Sequence, residues 1–141
     1  APARSAEFAR RAKELHEEFN ALGEALRNAG AAQAQWIASH PVYQYLARDG
    51  ALRVESLHWE PGEMPADMEW TKFRLTRAGQ PRPVAWMLWE GEPGAEIRAK
   101  LAAESVEVVV FSPQGDPDGK LGFLAYFRDR VAAMGRAVAQ R

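Results

Sequence analysis

The sequence predicts an α/β lobe: a mainly parallel four-stranded sheet flanked by helices and preceded by a long N-terminal helix. Three observations carry this. Four short apolar runs, rich in Val, Ile, Leu and Trp, fall between residues 35 and 111. Three of them lack strict in–out alternation, as strands do when both faces of the sheet are covered. Each run is followed by a helical candidate, and a chain that alternates strand and helix builds a parallel sheet.

The elements follow in order. In residues 4–29, Phe8, Ala12, Leu15, Phe19, Leu22 and Leu26 recur at spacings of three and four, one apolar stripe on a helix with charges on its other faces. Gly30 ends that helix, and Gly23 lies within the stripe, where close packing or a bend is expected. The apolar runs cover residues 35–39, 52–59, 84–89 and 106–111. The second run alternates imperfectly and reads as an edge strand. Helices are expected at 41–48, with Pro41 in the first turn, and at 65–78, 93–104 and 120–140. Leu121, Leu124, Phe127, Val131, Met134 and Val138 form the stripe of the last one. The connections "EPGEMP", "AGQPRP", "GEPG" and "SPQGDPDG" are turn sequences. Two units result, the long linker-type helix over 1–30 and the α/β lobe over 31–141.

Bulk properties narrow the function. At 141 residues and 47% hydrophobic content the chain has the size and apolar load of one ordinary domain. A formal net charge of −1 gives no basic footprint for nucleic acid. Cys is absent, which removes disulfides, thiolate metal sites and a Cys nucleophile. No apolar stretch approaches the roughly 20 residues of a transmembrane helix. Phosphate loop, nucleophile elbow, dinucleotide fingerprint and HExxH are all missing. "GDPDGK" lacks the full spacing of a calcium loop and reads as a turn.

Ligands of open parallel sheets bind outside the carboxyl ends of the strands, so those ends are the place to look for chemistry. The four runs end at His40, at His58-Trp59-Glu60, at Glu90-Gly91-Glu92 and at Ser112-Pro113-Gln114-Gly115-Asp116. Imidazole and carboxylate together suit zinc or manganese. A histidine at a strand end also serves to cap the next helix, and that reading stands beside the ligand one. His58 reads as an ordinary surface or groove residue. Glu90 ends a run too apolar for a surface strand, so its carboxylate needs a partner. Of the five tryptophans, Trp86 and Trp89 sit in that run and read as packing.

Four stretches together resemble one family, the zinc and manganese substrate-binding proteins of bacterial ABC transporters. "SHPVYQYLARDGALRV" is similar to its histidine motif, roughly H-D-A-F/Y-x-Y-x-x-x-x-Y-G-L. "WMLWEGEPGAEIRAKL" resembles its apolar strand ending in Glu followed by a helix, "VEVVVFSPQGD" its last strand and turn, and "FLAYFRDRVAAM" its closing helix. The resemblance runs from about residue 5 to the end. It implies two α/β lobes joined by a long helix with metal between them, of which this sequence matches the helix end and the C-terminal lobe.

What the resemblance implies for the site is partial. His40 matches the lobe's histidine ligand, and Ser112 falls where many members place an aspartate ligand. Glu90 matches a strand-end glutamate that orients the histidine, with Tyr43 and Tyr45 as further supporting groups. Pro41 replaces the usual Asp, Gly50-Ala51 the usual Tyr-Gly, and Arg130 or Asp129 stands near the usual Asn. The implied function is metal binding for an importer, with a thinned site that holds zinc or manganese weakly. The implied partners are an ABC permease and an N-terminal lobe, and the implied location is periplasmic or extracytoplasmic. No catalysis is implied. The alternatives are a non-metal interaction module with the same fold and an enzyme using His40 and Glu90 as an acid–base pair. With no second lobe over the long helix, its stripe is expected to pair two copies into a homodimer.

Overall fold

The computed structural model describes residues 2–60 and 62–140. Helix α1 (Pro2–Asn28) leads through a 3-10 turn (Ala31–Gln33) into β1 (Gln35–Ala38), α2 (Gln44–Gly50) and β2 (Arg53–Ser56). Then follow α3 (Asp67–Ala78), β3 (Val84–Trp89), α4 (Ala95–Ala103), β4 (Glu107–Val110) and α5 (Phe123–Ala139). The sheet is parallel throughout, in the order β2-β1-β3-β4. The expected fold class is therefore the observed one.

This order dictates the layers. Parallel crossovers are right-handed. The chain steps from β1 to β2 in one direction, then turns back past β1 to β3 and on to β4. Reversing direction moves the connecting helix to the opposite face. Hence α2 lies on one face, and α3 and α4 on the other. Two cores result. Trp36, Ala38, Tyr43, Leu88, Val109, Phe111, Val131 and Met134 pack beneath α1, α2 and α5. Ile37, Trp59, Trp70, Phe73, Met87, Trp89, Ile97 and Leu101 pack beneath α3 and α4.

The central strands β1 and β3 are buried at every position, and β2, with its alternating exposure, is an edge. The irregular pattern of β3 has a second cause besides two-sided burial. The β1–β3 register slips between Gln35↔Val84 and Trp36↔Trp86, a bulge that leaves Ala85 unmatched. Ala85 and Trp86 consequently both enter the first core, while Val84, Met87 and Trp89 enter the second.

Helix α1 is attached by its C-terminal half only. Leu22 and Leu26 are buried, each contributing about 1.5–3 kcal/mol by leaving water. Gly23 is where α1 meets the end of α2: a Cβ there would lie 3.2 Å from the Asp49 carbonyl oxygen. Arg27 donates to that same oxygen, and Arg128 on α5 pairs with Glu18. Gly30, at φ 77°, turns the chain out of the helix in a conformation that favours glycine. The rest of the stripe is largely uncovered: Phe8 is 67% and Leu15 46% exposed, while Phe19, 41% exposed, meets Phe123 edge to face at 6.2 Å.

Candidate metal centre

A topological switch point lies between β1 and β3, because the segments that follow these neighbouring strands leave toward opposite faces of the sheet. The crevice this opens at the carboxyl ends is lined from one side by the residue after Ser39 and from the other by the residue after Trp89. These are His40 and Glu90. Their side chains meet, with Nδ1 of His40 3.3 Å from Oε1 of Glu90, and both are partly exposed. The strand-end glutamate thus has its partner. A carboxylate facing Nδ1 favours the proton on that nitrogen and leaves the Nε2 lone pair available to an incoming ligand.

His40 does not act as a helix cap. α2 begins four residues later, with Tyr43 at its N-cap and no side-chain cap bond. The expected helix start at residue 41 is displaced because the chain first makes a tight turn, the Val42 N–H donating to the His40 carbonyl at 2.9 Å.

Tyr43 ties this turn to the end of β4. Its buried hydroxyl donates to the Phe111 carbonyl at 2.9 Å. Burial pushes the phenol's pKa well up, and the neighbouring Glu90 and Tyr126 push it further, so the hydroxyl stays protonated as a donor. The next residue, Ser112, is buried. Its backbone N–H donates to the Tyr126 hydroxyl at 2.8 Å, and its Oγ accepts the Gln114 N–H at 3.3 Å. Tyr126 was not singled out from sequence, because it lies outside the apolar stripe of the last helix and its partner is set by the end of β4. The turn beyond it is closed by Asp116, which accepts the N–H groups of Leu121 at 2.7 Å and Asp118 at 3.0 Å. Those backbone donors, Leu121 foremost, hold its carboxyl below the usual range.

Tyr45 is not brought to this cluster. Lying one residue into α2, it is 73% exposed, with the Arg48 guanidinium 5.3 Å over its ring. It lines a groove of about 790 Å³ together with His16, Phe19, Arg27, Leu46 and Phe127. His58 is exposed, as the sequence reading of a surface or groove residue has it, and it also stands beside His40, the ring centres 6.3 Å apart and edge to face. Among the described residues, no three His, Asp or Glu side chains already converge into a metal-holding group. The donors nevertheless suit a borderline metal: one imidazole oriented by a carboxylate, a second imidazole near it and a hydroxyl at the next strand end.

Comparison with known proteins gives a likeness of fold. No family model matches the chain, and no curated protein sequence matches it. Solved structures do. The Zn(II)-bound ZnuA-like domain of Streptococcus pneumoniae AdcA is 16% identical, with a TM-score of 0.69 over 96% of this chain and 54% of that one. The metal-dependent lipoprotein YcdH from Bacillus subtilis is 17% identical at a TM-score of 0.72, again over 96% and 54%. The periplasmic zinc binding protein TroA from Treponema pallidum is 14% identical at 0.66, over 97% and 54%. This chain therefore has the fold of one lobe of the metal-binding substrate-binding proteins, matching their C-terminal lobe. It spans about half the length of these relatives. No helix among the described residues is long and apolar enough to cross a membrane.

Proposed function

We propose that this chain is the C-terminal metal-binding lobe of an extracytoplasmic zinc or manganese carrier that serves an ABC permease. The observation that carries this reading is the His40–Glu90 pair at the switch point, 3.3 Å apart. It supports the reading because the pair places an oriented imidazole where this fold class takes its ligands. His40 would hold the metal through Nε2. Ser112 would line the site as a weak neutral donor, and Glu90 and Tyr43 would fix the geometry. The role is binding, not turnover. Residues 1–30 act as the connecting helix and 31–141 as the lobe. Titration of the chain with zinc by calorimetry is expected to give binding at micromolar or poorer affinity. Nanomolar binding would contradict the thinned site, and no binding at all would favour the second reading, an interaction module that retains the fold. The loss of the usual aspartate at Ser112 is what keeps that second reading in play.

The uncovered part of α1 is assigned to association with a second copy. Phe8, Ala12, Leu15 and Phe19 are spaced 4, 3 and 4 apart, a pattern that reads the same in both directions. Arg10, Arg11 and Lys13 precede Glu14, Glu17 and Glu18. Two such helices laid antiparallel set Phe8 against Phe19 and the basic half of each against the acidic half of the other. Sedimentation at micromolar concentration is expected to find a dimer that Phe8→Glu with Leu15→Glu converts to monomer. A parent protein that sediments as a monomer would end this assignment, leaving the stripe to a second lobe.

A further inference from the structure

We propose that His58 is a metal ligand alongside His40, so that imidazoles from the ends of β1 and β2 together make up for the carboxylate missing at Ser112. This rests on the metal-binding reading above and adds to it a residue from the neighbouring edge strand.

Backbone pairing of β1 with β2 continues past the strands themselves. The Leu57 N–H donates to the Ala38 carbonyl and the Trp59 N–H to the Ser39 carbonyl, both at 2.9 Å. These bonds draw residue 58 alongside residue 40. On either side of it Leu57 and Trp59 are buried and fix the backbone, while His58 itself is exposed and free to change rotamer. The two rings stand 6.3 Å apart, centre to centre. Two imidazoles bound to one zinc at ~2.0–2.1 Å per nitrogen have ring centres roughly 5 Å apart in tetrahedral geometry. The difference is within the reach of one side-chain rotation at His58. His40 need not move, because Glu90 already engages its Nδ1. Ser112 is the poorer donor: its hydroxyl is neutral and its Oγ already accepts a backbone N–H. Imidazole is the better ligand for zinc.

The experiment is a zinc titration of the full chain and of His58→Ala, His40→Ala and His16→Ala, paired with visible absorption of the Co(II)-loaded proteins. His58→Ala is expected to weaken zinc binding tenfold or more and to alter the Co(II) bands, with the metal-free melting temperature unchanged because the side chain is exposed. His16→Ala, a change on the exposed face of α1, should leave both readouts as in the parent. Parent-like affinity and spectrum in His58→Ala, with binding lost in His40→Ala, overturns the role of His58 and leaves the His40 site standing. Equal losses in His16→Ala and His58→Ala would indicate scattered surface binding and overturn it too. A parent that binds no zinc overturns both readings.

Discussion

Replacing His40 by Ala is expected to lower zinc affinity at least about a hundredfold, roughly 2.8 kcal/mol, which takes a micromolar site out of calorimetric range. The size follows from the donor set. His40 is the imidazole held in place by a carboxylate, and the group at the end of β4 is a serine hydroxyl already engaged by the backbone. Glu90→Gln should cost less, about tenfold, because it removes an orienting charge and not a donor to the metal. It should lower the melting temperature more than Glu63→Gln, since Glu90 is partly buried at the end of a core strand and Glu63 is exposed. Affinity should also fall in acid for the parent, because a ligating imidazole must be neutral. Glu90→Gln that abolishes binding while His40→Ala spares it would invert the roles assigned to the pair.

Trp89→Ala is expected to be the most damaging of these changes to stability. Trp89 is 2% exposed, packs in the core beneath α3 and α4, and is the strand residue directly before Glu90. Its ring lies 5.8 Å from that of Trp59, which in turn stands 4.8 Å from Trp70 and 5.6 Å from Phe73. Truncating a buried tryptophan costs about 3–5 kcal/mol. Against a total stability of about 5–15 kcal/mol that is a large share, and for a domain of this size it should lower the melting temperature by roughly 10 °C or more. Leu75→Ala, at a position 68% exposed on α3, should stay within about 0.5 kcal/mol of the parent. Melting of Trp89→Ala within two degrees or so of the parent would mean that the aromatic cluster is not the support of the site.

Much of this was legible because strand ends and helix stripes are local properties. Val84–Trp89 reads directly as a buried strand, and its closing Glu90 had to find a partner. The parallel sheet followed from strand–helix alternation, and the edge character of β2 from its imperfect apolar pattern. What stayed hidden depends on pairing between distant segments. The strand order that sets β1 beside β3, and so His40 beside Glu90, has no signature within either strand. The same holds for His58, whose neighbour is fixed by backbone bonds from residues 57 and 59 to β1. Its place near a strand end was the available signal, and its position inside the apolar run, between Leu57 and Trp59, masked it. Tyr45 went the other way. It shares a motif with Tyr43, but two residues along a helix lie on different faces, so only Tyr43 is buried toward β4. The late start of α2 came from the turn at His40, which outweighed the helix-starting preference of Pro41.

The proposed function stands on a metal held by His40 in the crevice between β1 and β3. Anomalous diffraction at the zinc absorption edge, from crystals of the zinc-loaded chain, tests it most directly. An anomalous peak is expected at bonding distance from His40 Nε2, ~2.0–2.1 Å, at the carboxyl ends of the two central strands. Zinc found only elsewhere on the chain, with no peak at His40, would contradict it.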